Sequence, residues 1–330
     1  METWLKEWNQ DYQLYNTRRD EPQRDHPWRI KMNDRLDALG QILNISAIVD
    51  LLTPKITELI LVPHRDLHRF PLHAFFNLPC TYLPSIHLGF NNPAKTTHGN
   101  RLLLIENPTT ESVSGGGTFI EIESALIQHL FPTQVIEREN ATAAQVKSAL
   151  SQPHDLLHFS GHAAYNSHNP SQSCLYLSGT DRLTLTTLAH LDLSSYALIC
   201  LAACETGITG KQTVSDEYVG LPSAFLKAKA SRIVSTFWRV ESAVSTYFMV
   251  EFYRSLATGN TPRTALQHAQ TFLKTATCQA LIAWIDAALP DLPRACQIAL
   301  RAEQQRIANA LAERPYHNPY YWAAFAISGQ

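Results

Sequence analysis

The run YALICLAAC, residues 196–204, constrains the fold more than any other stretch of the chain. Successive residues of a strand point to opposite faces, so a half-exposed strand alternates apolar and polar side chains. This run is apolar on both faces, as the central strand of a mostly parallel, helix-covered sheet must be. The flanking pattern agrees. ITELILVP (56–63), RLLLIEN (101–107), TQVIERE (133–139), DLLHFSG (155–161) and SRIVSTFW (231–238) are further strand candidates. Between them FIEIESALIQHLF (119–131), TAAQVKSALSQ (142–152), DEYVGLPSAFLKAKA (216–230) and ESAVSTYFMVEFYRSLATG (241–259) carry apolar residues three and four apart, the spacing of helices. Strand–helix alternation of this kind predicts an α/β fold with a mostly parallel sheet.

At 330 residues the chain is long for one domain, and a single large α/β unit with an appended segment is expected. Residues 1–30, rich in aromatics and arginine and broken by Pro22 and Pro27, read as a lead-in segment. An amphipathic helix follows over about 33–53, with Leu36, Leu39, Ile42 and Leu43 on one face. The boundary is placed at 1–54 for lead-in and helix and 55–330 for the main domain. The tail from 261 to 314 reads as two helices, followed by an aromatic, strand-like run, HNPYYWAAFAISG; 108–118, PTTESVSGGGT, reads as a flexible connection.

Composition narrows the function classes. Lysine and arginine number 27 against 29 acidic residues, without like-charge runs, so direct nucleic-acid or membrane-surface binding is not expected. Cysteines at 80, 174, 200, 204, 278 and 296 are too dispersed for a small secreted disulfide scaffold. The polar start METWLKEWNQDYQ is unlike a signal peptide, and no apolar run reaches the ~20 residues that span a bilayer. A cytoplasmic location is expected.

In open parallel sheets, ligands and catalytic groups gather beyond the carboxyl ends of the strands. DLLHFSG delivers Gly161 and His162 just past its last residues, and YALICLAAC delivers Cys204. If the two strands are neighbours, an imidazole and a thiol meet at one sheet edge, the arrangement of a thiol nucleophile and its general base. The amides of Gly161 and Cys204 are candidate donors to the oxyanion formed on attack at a peptide carbonyl. Cys200, inside the strand, and His158 read as packed core residues.

The words LLHFSGHAAYN, then LICLAACETG, then DEYVGLPSAFLKAKASRIVSTFWRVESAVSTYFMVEFYRSL and a terminal YYWAAFAISG resemble the CHAT family of caspase-like cysteine peptidases, relatives of caspases, separases and gingipains. The likeness begins near Ile56 and includes LVPHRDLHRFPLHAF. It implies a caspase-like three-layer α/β/α sandwich over 55–330, a catalytic dyad of His162 and Cys204, cleavage inside protein chains, and no cofactor. It also implies an effector gated by a sensor or repeat module such as tetratricopeptide repeats, with a role in bacterial defence for some members. Three positions depart from the usual motifs: Ala163 follows the histidine, Ala202 and Ala203 precede the cysteine, and Ala228-Lys229-Ala230 stands for the usual AGA. Metacaspases carry an aspartate two residues before the cysteine to bind basic side chains; here that position is Ala202, so it does not support a basic P1 residue.

Asp216 and Glu217 match the acidic pair after the cysteine loop and are candidate substrate-binding residues, although carboxylates at a helix start also complement the dipole. Trp238 and Arg239 leave a strand end where an extended substrate can pair by strand addition, Trp238 walling a subsite. Glu205 and Thr206 are expected to shape the turn after Cys204. Asp155 reads as a solvated strand-start carboxylate, SGGGT as a linker lacking the lysine of a phosphate loop, and His64, His68 and His73 as residues of a polar turn without a role. Two other readings remain open: an inactive caspase-like scaffold that binds protein partners, and a metal-dependent hydrolase built on His154, His158 and His162. The metal reading is disfavoured, because Cys200 and Cys204 on a strand stand about 13 Å apart, too far for one zinc ion.

Overall fold

A computed structural model describes residues 2–17, 26–86, 99–111, 117–164, 166, 169–203 and 220–330. Their main sheet comprises β1 (Leu59–Leu61), β2 (Cys80–Tyr82), β3 (Leu102–Glu106), β4 (Thr133–Glu137), β5 (Leu156–Gly161), β9 (Leu198–Ala203), β10 (Arg232–Thr236) and β11 (Phe325–Gly329). The intervening β6 (Ala163–Ala164), β7 (Cys174–Tyr176) and β8 (Arg182–Thr184) make a small antiparallel sheet. The main order is β1-β2-β11-β10-β9-β5-β3-β4. Every neighbouring pair is parallel except β10 and β11. All six strand candidates contain strands, and the sheet is mostly parallel.

Alternation along the strands explains the layers. Leu102 and Leu104 of β3, Leu198 and Cys200 of β9, and Val234 of β10 join one buried cluster. Leu103 and Ile105, Ile199 and Leu201, and Ile233 join another. The first cluster is completed by Ile122, Leu126 and Ile127 of the helix Thr118–Gln128 and by the helix Ser242–Ala257. The second is completed by Val146, Ala149 and Leu150 of the helix Ala143–Leu150 and by Leu221 and Phe225 of the helix Leu221–Lys227. A sheet with an apolar face on each side and helices covering both is the three-layer α/β/α sandwich.

The lead-in contains structure that its composition hid. Glu2–Thr17 is a helix, and Trp8, 4% exposed, packs on Trp28, Phe70 and Trp238 at ring-centroid distances of 4.6, 5.1 and 6.2 Å. Trp4, Trp8, Tyr12 and Tyr15 recur at helical spacing, so one aromatic stripe faces the main core. The tail is also different from expectation, with three helices rather than two: Pro262–Thr275, Cys278–Ala288 and Arg294–Ala308. Ala276 turns to an extended ψ of 122°, and the Thr277 side chain accepts from the Ala280 N–H at 3.1 Å, capping a new helix.

His68 and His73 do not sit in a polar turn. Each is 6% exposed, within short 3-10 turns over Arg65–Arg69 and Leu72–Phe75. His64 is exposed as expected. Burial pushes the imidazoles of His68 and His73 down to about 4 and about 3, respectively, with His64 adding to the fall at His68.

Candidate active site

β5 and β9 are direct neighbours, and their parallel register runs from Leu156 opposite Leu198 to Gly161 opposite Ala203. The next residue of β5 is His162, and the next residue of β9 is Cys204. Cys204 lies outside the described residues, as do Glu205, Thr206, Asp216 and Glu217.

The position of His162 is fixed from several sides. Before it, the Ser160 carbonyl accepts from the Asn107 N–H at 2.8 Å, tying β5 to the turn after β3. The His162 carbonyl accepts from the Tyr176 N–H at 2.9 Å, and β6 begins at Ala163, so the small sheet holds the chain as it leaves the main one. Gly161 sits in a tight space. A Cβ there would lie 3.0 Å from Pro108 Cδ and 3.1 Å from the Phe159 ring, closer than ordinary contact. The histidine is half-buried and lines a cleft of about 90 Å³ with Gly161, Ala202 and Thr236, beyond the carboxyl ends of β5, β9 and β10. The starts of the helices Thr118–Gln128 and Ser242–Ala257 close its other side. Thr246 Oγ1 donates to the Phe119 carbonyl at 2.9 Å, bracing one helix start against the other.

The three histidines of HDLLHFSGHAAYN separate completely. His154 is 3% exposed and stacks on Tyr196 at an interplanar angle of 20°. His158 is fully buried, with Nε2 2.9 Å from Glu123 Oε1 and Nδ1 3.2 Å from the Tyr253 hydroxyl. Only His162 reaches the cleft. Among the described residues, no group of three or more His, Cys, Asp or Glu side chains is placed to hold a metal ion. Cys200 is fully buried beside Tyr253, and burial pushes its thiol up to about 12, which leaves it inert at neutral pH.

Trp238 does not wall a subsite. It is 1% exposed, its Nε1–H donates to the Tyr320 carbonyl at 2.8 Å, and Trp8 and Trp28 pack edge-on against it. An indole that leaves a strand end is buried here because the helix Glu2–Thr17 covers it. Arg239 is half-buried, and its carbonyl accepts from the Tyr320 hydroxyl at 2.9 Å. Asp155 is not simply solvated: its Oδ2 accepts from the Arg101 N–H at 3.0 Å, and its carbonyl accepts from the Ala197 N–H at 2.8 Å, so it clamps the starts of three strands. Of the SGGGT run, only Gly117 and Thr118 are described; Gly117 occupies the cap position of the helix Thr118–Gln128.

Sequence reasoning missed Glu123. Its side chain is 3% exposed, lines the cleft, and accepts from Ser160 Oγ at 2.8 Å as well as pairing with His158. The signal was present, because Glu123 stands four residues from both Phe119 and Ile127, on the apolar face of an amphipathic helix. A carboxylate there is seldom accidental. Beside it in the next layer, Glu106 ends β3 opposite Ser160, and burial pushes its carboxyl up to about 6, with Glu137 and Glu121 adding to the rise.

No curated protein matches the chain. Among solved structures, a separase–securin complex from Saccharomyces cerevisiae is similar at a TM-score of 0.50 and 14% identity, over 90% of this chain and 17% of the other. Gingipain R, an Arg-specific cysteine proteinase, is similar at a TM-score of 0.49 and 11% identity, over 87% of this chain and 66% of the other. Caspase-1 from Spodoptera frugiperda is similar at a TM-score of 0.35 and 12% identity, over 56% of this chain and 80% of the other. The chain thus spans less than two thirds of the separase and gingipain chains. At these identities the likeness is one of fold. The family model of the CHAT domain matches residues 34–330, from within the predicted lead-in helix to the last residue, and the chain therefore belongs to the CHAT domain family.

Proposed function

We propose that the protein is a cysteine endopeptidase in which Cys204 and His162 form the catalytic dyad. The observation that carries this reading is the β5–β9 register, whose last pair, Gly161 and Ala203, precedes the histidine on one strand and the cysteine on the other. In the proposed cycle, His162 takes the thiol proton of Cys204, and the thiolate attacks the scissile carbonyl carbon. The tetrahedral oxyanion is held by the amides of Gly161 and Cys204. Its collapse breaks the C–N bond; the imidazolium returns the proton to the leaving amine, and water then hydrolyses the thioester. No step calls for a cofactor.

The substrate is a protein chain, and the enzyme is an effector gated by a sensor or repeat module, in keeping with the family. No described helix is long and apolar enough to cross a membrane. Asp216, Glu217 and Arg239 are kept as contributors to substrate binding.

The deciding experiment is a cleavage profile on proteome-derived peptides for wild type, Cys204→Ala and His162→Ala, run beside labelling by a cysteine-directed peptide electrophile. Cleavage and labelling in wild type, with a loss of at least about 10³-fold in both variants, is the expected result. A folded wild-type protein that neither cuts nor takes the label in the presence of its activating partner leaves the binding scaffold as the better description.

A further inference from the structure

Among the described residues, Glu123 is the one acid that lines the cleft beside His162, and its bonding is lopsided. Oε1 pairs with both His158 Nε2 and Ser160 Oγ, while the second carboxylate oxygen accepts nothing from the described residues. The side chain is nonetheless 3% exposed. A carboxylate withdrawn from water to this degree normally has its hydrogen-bonding capacity filled. Both ring nitrogens of His158 are engaged, Nε2 with Glu123 Oε1 and Nδ1 with the Tyr253 hydroxyl, so its contacts leave the second oxygen of Glu123 unused.

The rest of the lining fits a donor-bearing guest. Among the described residues it includes no lysine or arginine; Thr236, Ser242 and Ser245 give it hydroxyls, and Ile120, Val240 and Phe325 give it apolar walls. The volume, about 90 Å³, is that of roughly three waters at ~30 Å³ each, enough for one slender side chain. Ala202 also lines the cleft and leaves it open where a larger residue would fill it.

We propose that this cleft is the subsite for the residue on the acyl side of the scissile bond, and that Glu123 selects there a slender cationic side chain, lysine or arginine. Its apolar walls take the methylene stem, and the free carboxylate oxygen takes the charged head. The acid reaches the subsite from the helix after β3 rather than from the strand that ends at the cysteine. Calling the cleft a substrate subsite rests on the proteolytic reading above; its preference for a cation does not.

Two measurements separate these claims. The first compares kcat/KM for matched peptides with Lys, Arg, Gln, Leu or Asp at that position, in wild type, Glu123→Gln and Ser245→Lys. A charge-assisted hydrogen bond predicts at least about tenfold preference for Lys or Arg over Leu in wild type, falling to within about threefold in Glu123→Gln. Ser245→Lys brings a competing cation to the cleft without touching the buried Glu123–His158 pair, so it must also erase the preference, and it serves if Glu123→Gln does not fold. The second needs no turnover: saturation-transfer NMR with n-butylguanidinium and n-butanol. Wild type should hold the cation in preference to the alcohol, and both variants should lose that preference.

Cleavage without a basic preference, a preference that survives both variants, or equal binding of cation and alcohol overturns the proposal. Absence of cleavage in every form, combined with cation binding that depends on Glu123, defeats the proteolytic reading instead and leaves a cation-binding cleft.

Discussion

Replacing His73 by phenylalanine should remove about 2 kcal/mol of the stability that the wild-type protein loses between pH 7 and pH 5. The His73 ring lies 15° from parallel with Phe237, its Nδ1 is 2.9 Å from the Tyr82 hydroxyl, and its Nε2 is buried with no hydrogen-bond partner. A charged ring there would be withdrawn from water, and this burial pushes the group from 6.5 down to about 3. At pH 5 the unfolded chain takes up the proton and the folded chain refuses it. Stability therefore falls as pH drops below 6.5, by about 1.4 kcal/mol per pH unit for this group once the unfolded imidazole is fully charged. Integrated from pH 7 to pH 5, this gives about 2 kcal/mol. Phenylalanine keeps an aromatic face on Phe237 and cannot titrate. It will cost stability at every pH, so the informative quantity is the difference between the pH 7 and pH 5 values, from urea unfolding followed by tryptophan fluorescence. His68, lowered to about 4, contributes in the same direction and is retained in both proteins. Equal acid losses in wild type and His73→Phe, to within about 0.5 kcal/mol, would refute the reasoning.

Glu106→Gln should act in the opposite pH range. Its folded carboxyl is raised to about 6, so the contribution it makes when protonated is present below the unfolded value near 4.5 and lost as pH rises through 6. Relative to wild type, the variant should gain about 1–2 kcal/mol on moving from pH 4 to pH 8, read by the same urea titrations. Gly329→Ala tests the last strand. Gly329 has a φ of +107°, and an added Cβ would stand 2.1 Å from the Ser231 carbonyl oxygen. A loss of about 3 kcal/mol or more is expected, and a thermal midpoint unchanged from wild type would show that β11 is not docked as described.

The central sheet was legible because buried parallel strands cannot hide their composition: YALICLAAC and DLLHFSG read as strands, whereas their adjacency is supplied by the register. β2 was not legible. Its three residues, CTY, lie between Pro79 and Pro84, and local turn signals outweigh so short an apolar run. The strands after His162 are equally brief, held by pairing with one another rather than by any pattern of their own. The helix Glu2–Thr17 is hard to read in the sequence because its stripe is made of Trp and Tyr among polar residues. At the site, His162 could be read from its place after a strand, whereas Glu123 could not be paired with it. Their proximity is made by the helix Thr118–Gln128 lying across the sheet. Trp238 was misjudged for a related reason, since its cover comes from the other end of the chain.

The one antiparallel pairing in the main sheet has a consequence for how the molecule is made. β11 sits inside the sheet, with β10 on one side and β2 on the other, yet it is synthesised long after both. Until Phe325–Gly329 emerges, β1–β2 and the block from β10 to β4 have no strand to join them, and two bare strand edges face whatever is nearby. Completion of the core therefore waits until β11 has been made, and a product cut short before Phe325–Gly329 is left with sticky borders in place of a finished sheet.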